Sequence, residues 1–207
     1  MFGLSQNGIN VPKVARKSTS LVTAEMPSAR AIASSGAIAS EHSIHSSLRE
    51  KLIEHLFVGE LLRSLWRAGH RDIEVLKSEV DAGGYDLAIE CNGRLRHIQL
   101  KASSLNAKTS EVGINTRLSI KPSGCVIWIC FDPETLGLGP FLWFGGAPGA
   151  TLPDLGTRVA RHSRANSQGE KAHRPGIRLL KRTAFTPLNR IEELAEQLFG
   201  VCAHSRA

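Results

Sequence analysis

Gly83-Gly84-Tyr85-Asp86-Leu87-Ala88-Ile89-Glu90-Cys91-Asn92-Gly93-Arg94-Leu95-Arg96-His97-Ile98-Gln99-Leu100-Lys101 is the stretch from which the fold is read. Two strand-like runs, Tyr85 to Glu90 and Arg96 to Lys101, flank Asn92-Gly93. That dipeptide favours a two-residue hairpin turn, because both of its positions tolerate the positive φ such a turn needs. Side chains alternate along a strand, so Gln99 and Lys101 share one face and Leu100 takes the other. The hairpin brings Asp86, near the head of the first run, back beside them. An acid, a carbonyl-bearing amide and a lysine then converge at one end of a sheet. Oxygen donors of this kind suit Mg²⁺ or Mn²⁺.

Upstream, Ile73 to Leu76 reads as a first strand, separated from the second by Gly83-Gly84. Before it, Ser47-Leu48-Arg49-Glu50 is a capping-box pattern that opens a helix. Leu48, Leu52, Leu56, Leu62, Leu65 and Trp66 recur at helical spacing, and Gly69 marks the stop. At about 100° per residue, Glu60 falls between Ile53 and Leu56, inside this apolar stripe. A carboxylate there needs a cation or another partner.

Downstream, Ala102 to Lys121 is a polar link with a short helix expected around Asn115 to Ile120. Cys125 to Phe131 is a continuous apolar run, as in a strand buried on both faces. Further strands are expected at Pro140 to Phe144 and Ile177 to Leu180, the latter after loop-like sequence. A last helix, Ile191 to Phe199, presents Ile191, Leu194, Leu198 and Phe199 to the core.

The 207 residues are 42% hydrophobic, enough for one domain with a core and too many for wholesale disorder. No uncharged apolar run approaches the ~18 residues of a membrane span. Four cysteines, Cys91, Cys125, Cys130 and Cys202, form no CxxC pair, and a chain of this size needs no disulfides. A cytoplasmic setting follows as the expectation. Residues 1–46 are rich in Ser and Ala and lack either period, so a disordered tail is expected before a domain at 47–200, with a second tail at 201–207. The composition of 1–46 also resembles an organellar transit peptide, or a segment upstream of a start at Met26.

The net charge of +7 is localised. Between Asp154 and Arg190 lie nine basic residues against two acidic ones, which accounts for the whole excess. Arg161, Arg164, Lys171 and Arg174 are the candidate contacts to an anionic partner, nucleic acid first among them. A solvated basic loop is the bland reading of the same run.

Gly84-Tyr85-Asp86-Leu87, followed after twelve residues from Asp86 by Gln99-Leu100-Lys101, resembles the PD-(D/E)xK nuclease superfamily. The resemblance covers about Ser47 to Phe131. It implies an α/β restriction-endonuclease-like core: a helix, a three-stranded antiparallel meander, a link or short helix, and further strands. It implies a metal-dependent nuclease acting most naturally on DNA, with a homodimer compatible with the reading. By the same resemblance Asp86, the Gln99 oxygen, the Leu100 carbonyl and Glu60 hold one or two Mg²⁺ or Mn²⁺. The metal activates a water for in-line attack, and Lys101 orients that water and stabilises the developing charge. Gln99 stands where the family usually has Glu, and the proline before the first acid is absent.

Each residue has a plainer alternative. Asp86 could cap the turn after Gly83-Gly84, Gln99 and Lys101 could be an exposed strand face, and Glu60 could pair with Arg63 or Arg67 on its own helix. Glu79 or Asp81 could stand in for Asp86, and His97 could touch substrate from the Gln99 face. His162 and His173 lack partners at zinc-site spacing. Two rival functions follow: a non-catalytic nucleic-acid-binding module of the same fold, and a protein-interaction subunit with a basic loop.

Overall fold

The structure is a computed structural model and describes residues 46–78, 80, 82–162, 169 and 171–200. These all lie in the compact unit Glu41–Ala207. The expected tails, apart from Ser46, and the candidates Glu79, Asp81 and Arg164 fall outside the described residues.

Helix α1 spans Ser46–Arg67 and is followed by strands β1 (Ile73–Lys77), β2 (Leu87–Cys91) and β3 (Arg94–Ser104). Then come β4 (Glu111–Asn115), a 3-10 turn (Thr116–Ile120), β5 (Gly124–Phe131) and β6 (Leu138–Gly145). The last described elements are β7 (Val159–Arg161), β8 (His173–Lys181), a second 3-10 turn (Arg182–Ala184), β9 (Thr186–Leu188) and α2 (Ile191–Phe199). A six-stranded sheet runs in the order β1-β2-β3-β5-β6-β9, and a three-stranded sheet in the order β4-β8-β7. β1, β2 and β3 form an antiparallel meander, while β5 lies parallel to β3. The link from β3 to β5 therefore has to return to the start of the sheet, and β4 with its 3-10 turn makes that crossover.

The β2–β3 hairpin turns on Asn92 (φ 50°) and Gly93 (φ 74°), with Cys91 opposite Arg94. Both central residues are left-handed, the geometry that matches the twist of the flanking strands. β5 is buried at every position, as its unbroken apolar run requires. Its alternate residues divide the core. Cys125, Ile127, Ile129 and Phe131 face a cluster containing Phe57 and Leu61 of α1 and Leu194 and Leu198 of α2. Val126, Trp128 and Cys130 face a second cluster with Ile114, Leu118, Leu155, Leu180 and Phe185. The described residues thus form three layers: two helices, the large sheet, and the small sheet with its 3-10 turn. The three described cysteines are free and buried, and burial pushes the Cys125 thiol up to about 12.

Two sequence expectations are corrected. The buried face of α1 is Ile53, Phe57, Leu61, Ser64 and Leu65, whereas Leu48, Leu52, Leu56 and Trp66 are 59, 41, 38 and 60% exposed. Leucines occur around the whole helix, so periodicity alone left the phase of the stripe open. Burying each of the true core side chains contributes roughly 1.5–3 kcal/mol. The described part of the basic segment is strand as well as loop. It forms the β7–β8 ribbon, whose register skips from Val159↔Arg178 to Ala160↔Arg174. Pro175, Gly176 and Ile177 occupy that bulge on the β7 side, which is how a strand can carry a proline that has no N–H to give the ladder. Likewise Pro187 sits in β9, an edge strand.

Candidate active site at the β2–β3 divergence

The site is built where β2 leaves β3. The regular ladder of this pair ends at Leu87↔Ile98. One residue earlier, Asp86 donates its N–H to the Ile98 carbonyl at 2.9 Å. Its carboxylate Oδ2 accepts the Leu100 N–H at 2.7 Å, in the place a backbone carbonyl of β2 would otherwise take. In an extended strand the N–H and C=O of one residue point the same way. The Leu100 carbonyl therefore opens into the same gap as the Asp86 carboxylate.

Gln99 and Lys101 flank that peptide and project toward the small sheet. Gln99 is 6% exposed, and its Oε1 accepts the Asn115 N–H at 3.1 Å. Asn115 in turn caps the 3-10 turn, its Oδ1 accepting the Arg117 N–H at 3.0 Å. Lys101 is half-buried. The chain before Asp86 is pinned to the same turn. A Cβ on Gly84 (φ 76°) would sit 2.9 Å from the Asn115 side chain and 3.0 Å from the Leu118 nitrogen, so only glycine allows this approach. Arg117 also donates to the Ala82 carbonyl at 3.0 Å. His97 lies on the Gln99 face, with Nδ1 2.8 Å from the Pro122 carbonyl and its ring edge-on to Tyr85.

α1 carries an acid, Glu54, that joins it to β1. It is bonded to Lys51 at 3.0 Å and also ion-paired with Lys77 of β1. The Glu54 hydrogen bond and charge raise the Lys51 ammonium pKa most, and the Asp86 charge adds the smallest rise. Glu60, the acid expected from sequence, is half-buried six residues further on. That separation is about 9 Å along the axis and about 120° around it, so the two acids cannot serve one point.

Burial works to raise the Glu54 pKa, but hydrogen bonds from Lys77 and Lys51 and their charges outweigh it, leaving the carboxyl below its ordinary value of 4.5. A group held low in the folded state contributes stability above its unfolded value and loses it as the pH falls through the folded one. The melting temperature of the parent should therefore fall as the pH drops below 4.5. A Glu54→Gln variant should start lower at pH near neutrality and fall less. Parallel curves in a pH series of thermal melts would dissociate Glu54 from acid lability.

The basic candidates separate. Arg161 stands opposite His173, and Ala160 opposite Arg174, so Arg161 and Arg174 project from opposite faces of the ribbon. Lys171 is exposed beyond its end. Since Asn115 pairs with Ile177, and the β7 partners from Val159 to Arg161 span two residues, the ribbon runs about 7 Å past the strand that contacts Gln99.

Among the described residues, no three His, Cys, Asp or Glu side chains gather into a metal-binding group. No described helix is long and apolar enough to cross a membrane. No family model, curated protein or solved structure matches the chain.

Proposed function

We propose that the protein is a divalent-metal-dependent nuclease that hydrolyses phosphodiester bonds in DNA on a restriction-endonuclease-like PD-(D/E)xK core. The observation that carries this reading is the 2.7 Å bond from the Leu100 N–H to Asp86, which joins the acid to the Gln99-Leu100-Lys101 segment. An opening helix, an antiparallel meander and a further strand parallel to β3 support it. So do the exposed basic residues of the β7–β8 ribbon.

The donor set fits a hard cation. The Asp86 carboxylate, the Leu100 carbonyl and the second lone pair of Gln99 Oε1 are all oxygens, the type taken by Mg²⁺ or Mn²⁺. One or two carboxylates are what Mg²⁺ usually takes from a protein when substrate phosphate completes its shell. A bound Mg²⁺ would supply Lewis acidity and lower the pKa of an attacking water. Asp86 would carry the charge of the ligand set, and the N–H of Leu100 fixes its carboxylate in place. Lys101, one residue beyond the Leu100 carbonyl, would orient the attacking water and oppose charge on the phosphate. Glu60 would complete the set from α1, and Glu54 joins this reading through Lys51.

Nicking of supercoiled plasmid in Mg²⁺, in Mn²⁺ and in EDTA tests the proposal. Metal-dependent nicking supports it, and identical plasmid in all three sinks it. One observation favours a second reading, a binding module of the same fold without catalysis: the Gln99 oxygen already accepts a backbone N–H. Gln99→Glu separates the two. Its near-buried carboxylate should lower the melting temperature in EDTA, and millimolar Mg²⁺ should restore it by binding the folded state alone. Equal depression with and without Mg²⁺ would remove Gln99 from the ligands.

A further inference from the structure

The basic segment has a second pole, at the opposite end of β8 from the ribbon tip. An open groove of about 650 Å³ there is lined by Lys108, Thr109 and Ser110 of the β3–β4 connection and by Lys181, Arg182 and Thr183. Among the described residues, Lys108, Lys181 and Arg182 make no ion pair. The acid in the groove, Glu111, is matched by Arg158 at 2.8 Å. Arg182 is held in place rather than free to wander. Its guanidinium lies over the Trp128 ring at 5.2 Å, Nη2 meets Cys130 Sγ at 3.3 Å, and its backbone N–H donates to Ser110 at 2.8 Å. A neighbouring groove of about 290 Å³ shares Lys181 and Thr183 and adds Arg158. Three cations without an ion-pair partner among the described residues, three hydroxyls and two adjoining grooves match an anion with several oxygens at successive positions.

We propose that this double groove seats successive phosphates of a nucleic-acid backbone, as an anchoring site remote from the reacting bond. The proposal rests on the phosphodiester reading above. Leu105, on the groove wall, follows Leu100 by five residues, about 17 Å along the chain. That span corresponds to about five phosphates along one strand of a duplex. The groove would therefore hold one flank of the substrate while Asp86 and Lys101 face the cut.

The test is a binding titration of a fluorescent mixed-sequence DNA duplex in EDTA, between about 50 and 200 mM salt, with the full chain and a Lys108→Gln/Lys181→Gln variant. Both lysines are exposed, so the fold should survive. Two lost phosphate contacts should flatten the log–log salt dependence by about 1.8, alike for unrelated sequences. Overlapping salt curves would overturn the groove and leave the Asp86 reading standing. A flattened slope in a protein that never nicks plasmid would uphold the groove and overturn the nuclease reading. If the parent ignores duplex yet binds inorganic pyrophosphate in a lysine-dependent manner, the groove serves a small phosphate ligand and the backbone proposal falls. Binding to neither probe overturns it as well.

Discussion

Asp86→Asn should abolish plasmid nicking while leaving the protein folded. The substitution keeps a side-chain oxygen to accept the Leu100 N–H, the bond seen at 2.7 Å, but removes the charge a divalent cation would neutralise. The loss should be at least about 10³-fold, beyond the 10–100-fold typical of groups standing behind metal ligands. Thermal stability should stay within about 1 kcal/mol of the parent, because no packing is lost. Rates are read from single-turnover nicking at saturating protein, where weakened DNA binding does not mask the chemical step. Lys101→Met should show the same sign with binding retained. A parent-like rate in Asp86→Asn would move the chemistry elsewhere in the molecule, whatever the fold.

The second large effect concerns folding. Arg96 is fully buried, and its guanidinium meets no carboxylate among the described residues. It donates instead to the Leu198 carbonyl at 2.5 Å, to Gly146 at 3.0 Å and to Gln197 at 3.1 Å, with the Trp143 ring at 5.4 Å. Gln197 and Leu198 are in the last turn of α2, so the cation meets the negative end of the helix dipole and its orphan carbonyls. Arg94 adds a bond to the Phe199 carbonyl. Burial lowers the pKa of the Arg96 guanidinium, the cost of taking a cation out of water that these carbonyls offset. Arg96→Met should destabilise the fold by about 3 to 5 kcal/mol, since each carbonyl left without a donor costs roughly 1–3 kcal/mol. For a chain of this size that is about 6 to 20 °C in melting temperature. Arg94→Met, with one bond to lose, should cost less. Equal melting of Arg96→Met and the parent would show that α2 docks through Leu194, Leu198 and Phe199 alone.

Much of the candidate site is legible in sequence because it depends on short-range rules. Asn92-Gly93 sets the hairpin register through the φ its two residues tolerate, and the register places Asp86 beside Gln99-Leu100-Lys101. The buried face of α1 was a different matter. Leu48, Leu52 and Leu56 repeat as regularly as Ile53, Phe57 and Leu61, and nothing local distinguishes the stripe that meets a sheet from the one that meets solvent. In the same way Arg96 reads as one more strand charge until α2 is brought, about 100 residues later in the chain, to rest its C-terminus on the guanidinium.

The amino-acid sequence by itself determined the turn at Asn92-Gly93, the two-faced burial of Cys125 to Phe131, the bounds of Ile191–Phe199 and the concentration of positive charge between Asp154 and Arg190. Each of these depends on neighbours within a few residues, through φ preferences, periodicity or plain counting. Only the tertiary structure decided which face of α1 is buried, that the polar link holds β4, and that β4, β8 and β7 form a sheet of their own. It also decided that the positive charge divides between a ribbon tip and a groove. Those outcomes are set by what packs across the sheet, where long-range burial overrides the weak local preferences of a polar, proline-interrupted sequence.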